Sequence, residues 1–160
     1  MRSVLFLSLP MLLLGLNNQA SAYGVGDSLD AALLAKLNID SNKVTVIDFF
    51  AEWCASCRKE LPLISAVHGR VDKANVDFIG IDTDDDVNVA ERFQQELRAK
   101  GALSFRTIND VQQTLVNQFK PKGYPALYLI KGGKIVGQHI GAVANVDKVL
   151  TADLKKLGVN

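Results

Sequence analysis

Apolar positions along the chain fall into blocks of two kinds. Residues 44–50 form a near-continuous run, Val-Thr-Val-Ile-Asp-Phe-Phe, rich in branched and aromatic side chains. A run of that length and composition predicts a central strand buried on both faces. Residues 76–81 and 126–130 predict two more strands, and Gly132-Gly133 marks a hairpin turn into a fourth at 134–138. Helical spacing fills the intervals. Leu29, Ala32, Leu33 and Leu37 outline a short helix, and 54–70 a longer one with Pro62 as a kink. A strongly helical stretch at 87–100 is ended by Gly101, and residues 103–107 read as extended. Asn109 or Asp110 can cap a helix running to Phe119, and a last helix is expected at 145–157. Strands alternating with helices, then a terminal hairpin, imply an α/β fold: a central mixed β-sheet flanked by helices. No internal repeat or low-complexity linker interrupts it.

The first 22 residues break this pattern. Arg2 precedes a Leu-rich apolar stretch at 4–16, and Ala20-Ser21-Ala22 follows a short polar segment. That order is the layout of an export signal cleaved after Ala22, and the stretch is shorter than the ~20 residues a membrane span takes. Residues 23–160 then form one domain, expected in the periplasm. Without Arg2 the basic residues equal the 17 acidic ones, so charge gives no reason to expect nucleic acid or a polybasic membrane contact.

The chemistry lies where the first strand becomes a helix. Cys54 and Cys57 are the only cysteines, three apart, at a strand-to-helix junction. A helix N-terminus has unpaired N–H groups and partial positive charge, which favour a thiolate at Cys54; Cys57, one turn deeper, can resolve a mixed disulfide. Structural zinc would need four ligands, and only His68 and His139 are available besides the pair. A purely structural disulfide would close a very small loop and stabilise the chain little. Trp53 is placed to cover the pair or to fill the core. Asp48 interrupts the apolar strand six positions before Cys54, where a carboxylate is costly unless it has a task; the plainer reading is a strand-end cap. Glu60 shares a helical face with Cys57, or is an ordinary surface charge, and Glu52 reads as a surface charge. The run Asp82-Thr83-Asp84-Asp85-Asp86 lacks the Gly and Glu of a calcium loop and reads as a solvated strand end with helix N-terminal charges.

Three elements in order, Trp53-Cys54-Ala55-Ser56-Cys57, Gly123-Tyr124-Pro125 before a strand, and Gly132-Gly133-Lys134 with Gly141 beyond, resemble the thioredoxin superfamily over residues 29–157. The resemblance implies a thioredoxin fold, a cis Pro125 beside the cysteines, and Asp48 as the buried acid that relays protons to the deeper cysteine. An extra helix-plus-strand unit at 85–108, the export signal and the run from Cys54 to Pro62 resemble the TlpA/ResA group of exported thiol-disulfide oxidoreductases, with Glu60 matching the glutamate of its Cys-x-x-Cys-x-x-Glu motif. The cis-proline segment Lys122-Gly123-Tyr124-Pro125-Ala126 departs from that of the cytochrome-maturation branch. The expectation is a protein-disulfide reductase with catalytic Cys54, Cys57, Asp48 and Glu60 and substrate contacts at Trp53, Tyr124 and Pro125. It would need no cofactor or metal and act as a monomer on disulfide-containing exported proteins, recharged by a membrane electron donor of DsbD/CcdA type. The alternatives are an oxidase or isomerase of the same fold, or a thioredoxin-fold copper chaperone using the two thiolates and His139.

Overall fold

The computed structural model describes residues 22–159; the export-signal reading rests on residues almost wholly outside that range. The elements run α1 (Ala31–Lys36), β1 (Val44–Phe50), α2 (Ala55–Arg70), β2 (Val76–Asp82), α3 (Val87–Ala99), β3 (Arg106–Asn109), α4 (Thr114–Phe119), β4 (Ala126–Lys131), β5 (Lys134–Ile140) and α5 (Val146–Lys156). The strands form one mixed sheet in the order β3-β2-β1-β4-β5. β1 is parallel to β2 and antiparallel to β4, so it sits at the centre, and all seven of its residues are buried.

Side chains alternate across a strand, and β1 divides accordingly. Val44, Val46 and Phe50 join the core beneath α2 and α5, which also holds Cys54 and Cys57. Ile47 and Phe49 join the opposite core with Leu33, Leu115, Phe119 and Tyr128. Each buried branched or aromatic side chain stabilises by roughly 1.5–3 kcal/mol, so β1 anchors both layers. By the same alternation Asp48 lies on the cysteine face. Its register partners are Gly80 on β2 and Leu127 on β4, neither of which offers a donor side chain.

The unit expected as an insertion is α3 with β3, and it supplies an edge of the sheet, β3 pairing parallel to β2 from Ile79↔Arg106 to Asp82↔Asn109. The strand starts later than the apolar pattern implied. Leu103 and Phe105 are apolar because they plug the α2-side core from a loop. β3 itself begins at Arg106, whose guanidinium bonds Asp77 Oδ2 at 2.8 Å and the Leu37 carbonyl at 2.9 Å. α4 also starts late. Asp110 still caps it, but from a distance: its carboxylate accepts from the N–H groups of Leu115 (3.0 Å) and Val116 (2.8 Å), while Gln113 between them adopts a left-handed conformation. Pro62 lies inside α2, where it removes one helical N–H without ending the helix.

Candidate active site

Cys54 is the N-cap of α2, in extended conformation, and Cys57 lies in the first turn. The two are joined in a disulfide, with Cα atoms 5.3 Å apart. The Cys57 N–H donates to Cys54 Sγ at 3.2 Å. This is an N-cap bond with sulfur in place of the usual oxygen, and it directs an otherwise orphaned helix donor at the sulfur best placed to carry charge. Cys54 retains 6% exposure and Cys57 none. The outer sulfur can therefore be reached and the inner one cannot.

Trp53 does not enter the core; it is 62% exposed and rests edge-on against Tyr124, ring centroids 5.2 Å apart. The Tyr124–Pro125 peptide bond is cis, as the resemblance implied. Tyr124 is half-buried, its hydroxyl meeting the Thr83 side chain, and burial raises its pKa. Trp53, the residue before Cys54, thus packs on Tyr124, the first residue of the cis peptide. A groove of about 430 Å³ runs between α2 and the loop after β5, lined by Ser56, Lys59, Glu60, Leu63 and Ala142–Ala144.

Two carboxyl groups lie inward. Asp48 is 1% exposed, and neither of its oxygens meets a hydrogen-bond donor among the described residues. Burial first, then the charge of Glu60, pushes its pKa well above the ordinary carboxylate value. Glu60 is 6% exposed and accepts from the Val143 N–H at 2.6 Å. Its pKa is also raised by burial, although the Val143 bond and the positive side of His139 pull the other way. Glu60 is therefore no ordinary surface charge; it ties α2 to the loop after β5. Val143 acts only through its backbone, which no side-chain pattern announces.

The structure corrects one reading. The acidic run is not a solvated strand end throughout. Asp82, Thr83 and Asp84 are buried, and only Asp85 and Asp86 are exposed, Asp86 capping α3 through Asn88 N–H at 2.8 Å. Asp84 Oδ2 instead accepts from the Glu52 N–H at 2.8 Å. Glu52 keeps an exposed carboxylate, the surface charge expected, and is also held by Arg58. Its carboxylate pairs with Arg58 Nη2 at 2.7 Å and its carbonyl accepts from Arg58 Nε at 3.2 Å. Thr83 returns to the same turn, its N–H and hydroxyl both donating to the Phe50 carbonyl at 2.9 and 3.1 Å. The end of β2 thus holds the approach to Trp53-Cys54. Its partners lie about thirty positions away in sequence, so only the spacing of Glu52 and Arg58 around the cysteines offered a local clue.

His139, the histidine a copper site would need, donates to Asp153 Oδ2 at 2.8 Å, and no group of three or more His, Cys, Asp or Glu side chains able to hold a metal ion occurs among the described residues.

A mixed sheet with a Cys-x-x-Cys pair capping the helix after its central strand, and a cis-proline leading into the neighbouring strand β4, defines a thioredoxin-type dithiol site. The chain belongs to the thioredoxin-like family, whose model matches residues 42–136. It is 27% identical over 100 residues to the thiol-disulfide oxidoreductase ResA of Bacillus thuringiensis, a match covering 62% of this chain and 56% of that protein. It is 46% identical over 55 residues to thioredoxin H2 of Arabidopsis thaliana, 34% of this chain and 39% of the relative. The chain therefore spans about two-fifths to just over half of the length of these curated relatives. A secreted disulfide oxidoreductase of Mycobacterium tuberculosis homologous to DsbE shares the fold, with a TM-score of 0.59 at 24% identity over 74% of this chain and 85% of that one.

Proposed function

We propose that this protein is an exported thiol-disulfide oxidoreductase that reduces disulfides in other exported proteins. The observation that carries the reading is Cys54 itself: a reachable sulfur capping α2 and accepting the Cys57 N–H, with an inaccessible second sulfur one turn deeper. In the reduced protein the Cys54 thiolate attacks one sulfur of a substrate disulfide. A mixed disulfide forms and the other substrate sulfur leaves as a thiolate. Cys57 then loses its proton, with Asp48 as the acceptor and Glu60 tuning it, and attacks Cys54 Sγ. The second substrate sulfur leaves, and two electrons have passed from the dithiol to the substrate. Trp53 and the backbone of Tyr124 beside Pro125 receive the extended substrate segment.

The direction follows from charge. Ala55 and Ser56 supply no imidazole and no cation to stabilise the Cys54 thiolate, and buried carboxyls nearby disfavour it. A pair of that kind is closer to thioredoxin's couple of about −270 mV than to DsbA's of about −120 mV. In an oxidising compartment it needs electrons from a membrane donor of DsbD/CcdA type, and it works as a monomer. Support for export comes from the Arg2, apolar and Ala20-Ser21-Ala22 pattern and from the secreted relative.

Reduction of insulin under dithiothreitol, monitored by turbidity, tests the activity; Cys54→Ser should abolish it. Equilibration with glutathione tests the direction, and a potential above roughly −180 mV would make the protein an oxidase or isomerase instead. Intact mass from the exported fraction should begin at Tyr23, and a chain starting at Met1 would overturn cleavage.

A further inference from the structure

We propose that Asp84 is a positioning residue for the Cys54 thiol, acting through the backbone of Glu52. The inference rests on the thiol-disulfide reading above, since Cys54 is where its effect is read.

The turn that delivers Cys54 to the head of α2 is short. The Cys54 N–H closes it on the Ala51 carbonyl at 3.1 Å. Glu52 lies inside this turn and is held at three points. Asp84 takes its N–H, while Arg58 takes its carbonyl and its carboxylate. Arg58 is itself fixed, its guanidinium 4.4 Å above the Phe93 ring and 3.6 Å from Glu96 Oε1, both on α3. Arg58 grips Glu52 from within α2 and so moves with the cysteines. Asp84 is the grip from outside, on the end of β2, and registers the turn against the sheet.

Asp84 has a backing that fixes its own position. Its N–H donates to Asp82 Oδ1 at 3.1 Å, and Asp82 Oδ2 accepts from Gln94 Nε2 at 2.8 Å. Gln94 is secured in turn by Asn109 Oδ1 and by the Thr107 hydroxyl, both at 2.7 Å. The chain Thr107–Gln94–Asp82–Asp84–Glu52 therefore runs from the α3–β3 unit to the residue before Trp53. A buried carboxylate is costly, and two in one network are retained here with every link directed. Burial and the adjoining Asp84 carboxyl push Asp82 up to about 6. The cationic group nearest the Asp84–Glu52 contact is Arg58; the acidic ones are Asp82, Glu52, Glu96 and the exposed Asp85 and Asp86.

Freeing the Glu52 N–H lets the turn drift, and Cys54 Sγ then meets the Cys57 N–H less squarely. The thiolate loses part of its stabilisation, so its titration moves to higher pH. Removing only the negative charge of Asp84 does the reverse, since a nearby anion disfavours a thiolate. The two effects have opposite sign and can be separated.

The test uses Cys57→Ala protein, so that Cys54 is the one thiol, and follows its alkylation by iodoacetamide from pH 4 to 10. Asp84→Ala should raise the midpoint and slow the reaction at pH 7 by about threefold or more. Asp84→Asn keeps an amide oxygen for the Glu52 N–H and loses only the charge, so its midpoint should lie at or below that of the unsubstituted protein. An unchanged profile in Asp84→Ala, or a lowered midpoint in both variants, overturns the assignment. Should Asp84→Ala fail to fold, Asp84→Leu, neutral and of similar size but without an acceptor, takes its place: a midpoint above that of Asp84→Asn supports the hold, and an equal one overturns it. Failure of the thiol-disulfide reading would look different. It would appear as an ordinary midpoint, about 8.5, with Asp84 unsubstituted, whereas Asp84 is judged on the difference between variants.

Discussion

Asp48 and Glu60 are two buried carboxyls on the cysteine side of the sheet, and the charge of Glu60 is felt at Asp48. Among the described residues one meets no hydrogen-bond donor on either oxygen, and the other accepts from the Val143 backbone N–H. Such an arrangement holds a proton at pH values where ordinary carboxyls have lost theirs. Once ionised, such a carboxyl is a stronger base than an ordinary one, which is what taking the Cys57 proton in the proposed resolving step calls for.

Stability should carry the mark of Asp48. Its folded pKa is raised above the unfolded value, so between the two the native state binds more protons. Stability therefore falls as pH climbs through that window and stays low above the folded pKa. Asp48→Asn removes the titration and should stabilise the protein at pH 8 by on the order of 1–3 kcal/mol, with the gain vanishing below the unfolded pKa of about 3.9. Denaturant melts at pH 3.5 and 8 measure it. An equal effect at both pH values would mean that Asp48 does not titrate in the folded protein.

Turnover should move the opposite way. Asp48→Asn and Glu60→Gln keep shape and lose the proton acceptor, so each should slow insulin reduction by about 10-fold or more at neutral pH. The activity–pH profile should flatten most in Asp48→Asn. Wild-type rates in both variants from pH 5 to 9 would leave the two carboxylates without a part in the chemistry.

Reactivity should be confined to Cys54. In the reduced protein alkylation at pH 7 should label Cys54 first, and Cys57→Ala should trap protein partners on Cys54 as mixed disulfides. Peptide mapping by mass identifies the labelled sulfur. Labelling of Cys57 first would reverse the assignment.

Gly80 tests the packing without touching a cysteine. A Cβ there would stand 2.7 Å from the Phe50 ring and 3.2 Å from both Phe105 and Thr107. Aromatic rings in a filled core cannot move aside cheaply, so Gly80→Ala should destabilise by about 1–3 kcal/mol. A thermal melt unchanged from wild type would show that the Phe50 layer can yield.

The central strand was legible because its residues are buried from every side; no neighbour can change what a continuous run of Val, Ile and Phe must do. The Cys-x-x-Cys pair and the Tyr124–Pro125 segment were legible for a related reason, since their chemistry is local. Leu103 and Phe105 misled because an apolar loop that plugs a core has the same letters as a strand. The acidic run misled more deeply. Asp82 and Asp84 find their donors on Gln94 and Glu52, 12 and 32 positions away, and a string of aspartates gives no sign of such partners. Burial of charge is decided by tertiary contacts, and composition favours the surface by default.

The ladder has two borders, and both are blunted. The β3 border is only four residues long. Along the β5 border the segment Gly26–Leu29 lies across the start of the strand, exchanging backbone bonds with Gly133 and Ile135 at 2.8–2.9 Å. Exposed strand borders are templates on which other extended chains polymerise. Under the proposed function the working face receives extended stretches of foreign polypeptide, and the molecule then meets that hazard at every encounter. Blunting the borders leaves visiting chains less to pair with at the sheet's margins, so that on this reading pairing at Tyr124 leads to exchange rather than to aggregation.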